Sequence, residues 1–348
     1  MEGRGLAQDE ALMLLGIFYI LHFVTNILFQ PIVALVNSKL GIRFGFLMGQ
    51  FSLAFFLVLV NNVVDLGSMV PVFFVLTLAA TFWWVSYHIF FIEVGEMKRF
   101  GKEIGSMQFL GISAGLTAPF IGGLVITYFG FPVLFVVSAM IIAISFMMLL
   151  FMKDFERLNT VSLLGMFREA KARKREFLSF VGIGGESIVY SIIWPIFMYF
   201  LFKDFLVTGI FFSLIILFSG VIAFIVGGLC DRFSSQKLER YGSGVVSLTW
   251  IGKTLFQAPV GIFILDMFYR IFVNLFYLPI DAFAYKSADG EGVDKAKYIA
   301  FREASYAIGH IISLSFFVIF IFIGLPFWMA FMSGAILSLL PMLIREKQ

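Results

Sequence analysis

Residues 130–152 read GFPVLFVVSAMIIAISFMMLLFM, and residues 153–176 read KDFERLNTVSLLGMFREAKARKRE. The first stretch is long enough to cross the hydrocarbon core of a bilayer, which takes about 20 apolar residues in a helix. Only helices and closed barrels satisfy their backbone in lipid. The run shows no period-two alternation, so it is read as a helix. Gly130 and Pro132 end any helix that arrives from the N-terminal side and begin another. The second stretch carries Lys153, Arg157, Arg168, Lys171, Arg173, Lys174 and Arg175. Positive charge next to a span stays on the cytoplasmic side.

Working outward, the same unit recurs. Further apolar runs lie at 11–36, 44–62, 69–93, 104–128, 177–202, 205–229, 243–257, 260–285, 299–323 and 325–344, which makes eleven spans. Helix breakers mark the tightest joints: Gly130-Phe131-Pro132, Ala258-Pro259 and Gly324-Leu325-Pro326. The runs leave no room for a soluble domain in 348 residues. Composition agrees: 61% of residues are apolar, 14% are charged, and mean hydropathy is +0.99. A typical soluble domain is about 45–50% apolar and about 25% charged. An ordinary cytosolic enzyme, a nucleic-acid binder and a disordered chain are therefore excluded. A single cysteine, Cys230, excludes an intrachain disulfide and a cysteine-based metal site, and three histidines are too few for a His-rich one. No metal or cofactor is expected. No small-residue cleavage site follows the first run, so no removable leader is read.

Charge distribution sets the orientation. Of the 25 Lys and Arg, twenty-one fall in alternate loops. The opposite set holds only Arg4 and Lys203, while Lys253 and Arg270 lie within spans. The expectation is a multi-pass protein of the cell membrane with its N-terminus outside and its C-terminus cytoplasmic. The basic loop divides the chain into an N-terminal bundle of five spans (1–152), a cytoplasmic linker (153–176) and a C-terminal bundle of six (177–348). The FREAKARKREF stretch of the linker reads as helical and solvated.

In the second half, Gly227-Gly228-Leu229-Cys230-Asp231-Arg232-Phe233 precedes Lys237 and Arg240 on a basic loop. In the first half, Ala34 through Arg43 fits the same frame, with Lys39, Gly41 and Arg43 kept, and with Ala34 and Ser38 where Gly and Asp stand in the second. These loops resemble the G-x-x-x-D-R-x-G-R-[RK] signature of the major facilitator superfamily, and two copies suggest an internal repeat. Gly105, Ala114, Ala118-Pro119 and Gly122-Gly123 resemble the same family's fifth-helix pattern, common in proton antiporters. The resemblance implies an all-α polytopic fold of two helix bundles. The family has twelve helices, and its first loop signature follows the second of them; here it follows the first span. The simplest alignment makes span 1 the family's helix 2. Either a start upstream of Met1 or a natural eleven-span variant accounts for that, and the first is favoured.

Charged groups inside a bilayer cost about 2.5–3.5 kcal/mol each on insertion scales, so each invites a reason. Glu186, Tyr190 and Trp194 recur every fourth residue on span 6, after Gly182, Gly184 and Gly185 and before Pro195. On span 9, Asp266, Arg270 and Asn274 share a face, and Asp266 can pair with Arg270 four residues on. His22 and Asn26 share a face of span 1, and Trp84 and Tyr87 stand on span 3. In the resemblance, spans 3, 6 and 9 correspond to cavity-lining helices. A carboxyl withdrawn from water holds its proton more tightly, which suits Glu186 to carrying protons; a helix cap at a Gly-broken turn is its other reading. Arg270 either holds an anionic substrate group or neutralises Asp266. His22 is satisfied locally by Asn26 or a carbonyl. Lys253 is read as a snorkelling or interhelical contact, and Arg302 and Glu303 as gate or loop contacts at the cytoplasmic face.

The chain is therefore expected to be a monomeric secondary transporter. It would move a small solute across the bilayer by alternating access, coupled to protons, with a lean to efflux from Pro119-x-x-Gly122-Gly123. The alternative is a non-transporting relative acting as receptor or scaffold. No metalloprotease, nucleophile-elbow or phosphate-loop motif is present, so no enzyme is expected.

Overall fold

The computed structural model describes residues 8–94, 100–153, 159–230 and 235–344. Among them, helices follow one another through short joints: α1 (Gln8–Leu40), α2 (Ile42–Asn61) and α3 (Leu66–Val94). Phe100–Leu149 is broken at Gly130, whose φ of 80° lies outside helical space, and so forms α4 (100–129) and α5 (131–149). After these come α6 (Leu163–Ala172), α7 (Lys174–Phe202), α8 (Phe205–Cys230), α9 (Ser235–Leu255), α10 (Pro259–Ala288), α11 (Lys295–Phe322) and α12 (Phe327–Leu343, partly 3-10). All but α6 coincide with the eleven apolar runs. Gly41 (φ 90°) and Gly324 (φ 76°) turn the chain at two further joints, in a conformation that costs a residue with a Cβ about 1–2 kcal/mol.

Lipid is as apolar as leucine, so helices in a membrane associate through close backbone packing rather than hydrophobic burial alone. Glycine provides that packing here. A Cβ at Gly309 on α11 would collide with the Val181 carbonyl of α7, and one at Gly184 with the Tyr306 carbonyl of α11. Gly182 and Gly185 seat α7 in the same way on Leu337 of α12. Helices on either side of the linker meet along two seams, α1 against α11 and α4 against α8. At the second seam, Gly209 lies against the Pro119 carbonyl and Gly123 against the Phe205 carbonyl, while Gly122 faces open space. Large apolar side chains such as Phe51, Met148, Phe151, Leu248 and Val260 point outward.

The stretch expected to be a solvated linker is docked. Ser162 caps α6 by accepting from the Gly165 N–H at 3.1 Å. Met166 is buried in a small cluster with Ala34 of α1 and Ala296, Ala300 and Ala304 of α11. Lys297 reaches Glu169 at 2.6 Å, Arg173 holds both Glu169 and Glu176 at 3.1 Å, and the Tyr298 hydroxyl donates to Glu176 at 2.8 Å.

Helix α7 is not uniform. A π turn spans Val189–Ile193, just before Pro195. Proline cannot donate a backbone hydrogen bond, and the wider turn accommodates that loss. It also changes the helical register, so side chains before and after it no longer share a face.

Candidate functional site

A cavity of about 680 Å³ lies between α1 and α3 on one side and α7, α10 and α11 on the other. All three histidines of the chain line it. His22 Nδ1 is 2.9 Å from Thr77 Oγ1, and His310 Nε2 is 3.0 Å from Ser187 Oγ, with the Phe23 ring against His310 at 4.2 Å. Asn26 donates to Thr81 at 2.7 Å and accepts from Gln30 at 3.2 Å. His22 is thus satisfied by a threonine rather than by Asn26 or a carbonyl.

The charged centre of the wall is Arg302. Its Nη1 reaches Glu303 Oε1 at 2.7 Å and His88 Nε2 at 2.9 Å; its Nη2 donates to Asp281 Oδ1 at 2.6 Å and the Tyr306 hydroxyl at 2.9 Å. His88 Nδ1 is 2.7 Å from the Tyr285 hydroxyl, and His88 Nε2 is also 3.3 Å from Glu303. A neutral His88 protonated on Nδ1 fits these contacts: it donates to Tyr285 and accepts from Arg302. That triad ties α3 to α10 and α11. Arg302 and Glu303 were expected as gate or loop contacts at the cytoplasmic face. They instead lie about 10 Å along the axis from the start of α11, because α10 runs on to Ala288 and α11 begins at Lys295.

The residues singled out from sequence divide into two groups. His22, Asn26, Trp84, Tyr87 and Tyr190 line the cavity. Glu186, Trp194 and Asp266 do not: each is wholly buried behind the wall, and Arg270 and Asn274 also lie off it. The π turn separates Tyr190, which faces the cavity, from Trp194, which faces the core.

Behind the wall is a second polar cluster. Glu186 Oε1 accepts from Trp250 Nε1 and from the Tyr269 hydroxyl, both at 2.8 Å, and Oε2 accepts from the Tyr277 hydroxyl. Glu186 therefore sits mid-helix with donors converging on it, and it is not a cap. Tyr277 also lines the cavity, so one ring separates Glu186 from that space. The expected Asp266–Arg270 pair is not formed. Asp266 Oδ1 pairs with Lys253 Nζ at 2.5 Å, and both side chains are 0% exposed. The Lys253 ammonium lies 3.9, 4.3 and 4.4 Å from the ring centres of Trp194, Trp250 and Tyr269. Arg270 instead stacks over Tyr190 at 4.6 Å. Lys253 is an interhelical contact with no route to the lipid surface, so it does not snorkel.

Sequence reasoning missed Asp281 and Tyr285 on α10, and the cavity roles of Tyr277 on α10 and of Arg302, Tyr306 and His310 on α11. The signal was present, since each set recurs at every fourth residue and so shares a helix face. Among the described residues, no three His, Cys, Asp or Glu side chains converge as a metal site.

The loop motifs have structural places. Lys39 is exposed, Gly41 makes the α1–α2 turn, and Arg43 Nη1 donates to the Met152 carbonyl at 3.4 Å. Gly227 belongs to α8, while Asp231 and Arg232 lie outside the described residues. Pro119 and Gly123 form the α4–α8 crossing described above.

These features define a multi-pass membrane protein with the fold of major facilitator superfamily transporters. The chain is similar to the D-xylose-proton symporter at 12% identity and a TM-score of 0.71, over 98% of this chain and 89% of that one. It is similar to the human organic anion transporter MFSD10 (TETRAN) at 12% identity and a TM-score of 0.68, over 98% and 85%. It is similar to the E. coli fucose:proton symporter FucP at 14% identity and a TM-score of 0.62, over 95% and 96%. No family model matches the sequence, and no curated protein matches it.

Proposed function

We propose that the chain is a secondary active transporter that moves a small solute across the cell membrane by alternating access, with proton movement as the driving step. The observation that carries this reading is the cavity, walled by helices from both sides of the linker and lined by the charged groups Arg302, Asp281 and Glu303. The fold is shared with proton symporters and an organic anion transporter. At the basic end, taken here as cytoplasmic, Glu93 of α3 pairs with Lys295 of α11 at 2.9 Å, a contact that must break for the cavity to open there.

Glu186 is the proton carrier in this reading. Its hydrogen bond from Tyr277 gives it a one-residue connection to the cavity. Efflux is the preferred direction, on the resemblance of Pro119, Gly122 and Gly123 to the antiporter pattern. The test is flux in proteoliposomes of the full chain, screened against solute classes with and without a pH gradient. Glu186→Gln keeps an acceptor oxygen for the aromatic donors but carries no charge. It should lower gradient-driven flux at least about tenfold while exchange of solute persists. Flux indifferent to both the gradient and the substitution removes the proton from the mechanism.

A further inference from the structure

We infer that the cavity takes a singly charged organic cation with a flat aromatic body. The inference rests on the transport reading only for the claim that this cation is carried. Charge accounting of the wall comes first. It holds one guanidinium, Arg302, and two carboxylates, Asp281 and Glu303, so with neutral histidines it carries one net negative charge. Behind the wall, the cations Lys253 and Arg270 are matched in number by Asp266 and Glu186 while Glu186 is deprotonated, so no positive excess stands there in that state.

Arg302 is not available to an anion. Its terminal nitrogens are engaged by Asp281, Glu303, His88 and Tyr306, its side chain is 3% exposed, and the Tyr306 ring covers it at 4.3 Å. An anionic solute would have to break two ion pairs and approach two carboxylates. The acids themselves are only half used. Each gives Arg302 one oxygen, and their side chains stay 24% and 12% exposed on the cavity wall. Among the described residues, neither second oxygen has a hydrogen-bond partner. A ligand ammonium or iminium would complete them.

The rest of the wall suits the ligand's body. Trp84, Tyr87 and Phe91 of α3 line the space together with Tyr190, Tyr277 and Tyr285, Phe91 packing on Tyr285 at 4.7 Å between ring centres. Trp84 is 48% exposed, and so offers a ring face. Aromatic faces attract cations through their quadrupole and stack flat rings. The volume holds a molecule of drug size.

The test uses the full chain in detergent, with ethidium as the aromatic cation, naphthalene-1-sulfonate as the aromatic anion and phenyl glucoside as the neutral ring. Calorimetry on the unmodified protein should rank ethidium at least about tenfold tighter than the other two. Asp281→Asn and Glu303→Gln should each weaken ethidium about tenfold and leave phenyl glucoside unchanged. Tighter binding of the sulfonate or the glucoside overturns the inference. So does ethidium affinity unchanged in both folded variants. The unmodified protein decides the ranking even where a variant fails to fold. Proteoliposomes separate the two readings. Ethidium bound but never moved removes the claim that this cation is carried and leaves the cation site. A neutral solute carried by protein that does not bind ethidium sinks the cation site and leaves transport.

Discussion

Lys253→Met tests the buried cluster most directly. The substitution keeps the length and much of the volume of the side chain and removes only its charge. In the native protein the ammonium is 2.5 Å from Asp266, both groups are fully buried, and three aromatic rings close over the lysine. Removing one member of a buried ion pair typically costs about 3–5 kcal/mol, because the other charge is left without compensation. Losing the cation–ring attraction adds up to about 2 kcal/mol, part of which a methionine sulfur recovers against the same rings. There is a ceiling. The orphaned Asp266 can take up a proton, and from an ordinary carboxyl pKa near 3.9 that costs about 4 kcal/mol at pH 7. The expected loss, with the charge cost capped at about 4 kcal/mol and the unrecovered ring attraction added, is therefore about 3–5 kcal/mol. Unfolding of the full chain in mixed micelles, followed by tryptophan fluorescence, measures it. Lys253→Met combined with Asp266→Asn should return to within about 1 kcal/mol of the native protein, since replacing a buried pair by neutral groups is often near neutral. A Lys253→Met variant within 1 kcal/mol of native, or a double variant less stable than either single one, would refute the idea that charge compensation holds this cluster together.

Other outcomes follow from the packing and the faces of the bundle. Gly309→Ala should cost about 1–3 kcal/mol, because α7 and α11 meet backbone to backbone there, whereas Gly122→Ala, facing open space, should change the melting midpoint little. Burial pushes the Glu169 carboxyl of α6 up, but hydrogen bonds from Lys297 and Arg173 outweigh that and hold it below the usual range. Its contribution is then present above the ordinary carboxyl pKa of about 4.3 and is lost as pH falls through the lowered value. Since the groups are partly exposed, Glu169→Gln should lower stability by less than about 1 kcal/mol at pH 7, with the difference vanishing in melts near pH 3. Glu93→Ala should loosen the basic end, read as a longer-distance population between spin labels at Lys39 and Glu291; an unchanged distance distribution would mean that the Glu93–Lys295 pair does not hold that end closed.

Much of the fold is local in origin and so was legible. Eleven apolar runs, joints at Gly130, Pro259 and Gly324, and a basic stretch between the fifth and sixth runs all follow from hydropathy and backbone permissiveness, and among the described residues seven helices are long and apolar enough to cross lipid. Glu186 stood out because an acid within an apolar run is costly. Which side chains meet it did not. Trp250, Tyr269 and Tyr277 lie 64 to 91 residues away in sequence, on α9 and α10.

The Asp266 case shows where the boundary runs. Helical periodicity correctly places Asp266 and Arg270 on neighbouring turns, but it does not say which neighbouring helix each side chain meets. Asp266 meets Lys253 of α9, and Arg270 meets Tyr190 of α7. Similarly, Arg302 finds Asp281 and His88, which are 21 and 214 residues away. Hydropathy and glycine placement act over a few residues, so residue order alone determined the apolar runs and their joints. Which charges pair, and which polar groups face the cavity rather than the core, was decided by helix crossings and by the π turn of α7. Those depend on glycine contacts between helices far apart in the chain, and they exist only once the bundle has closed.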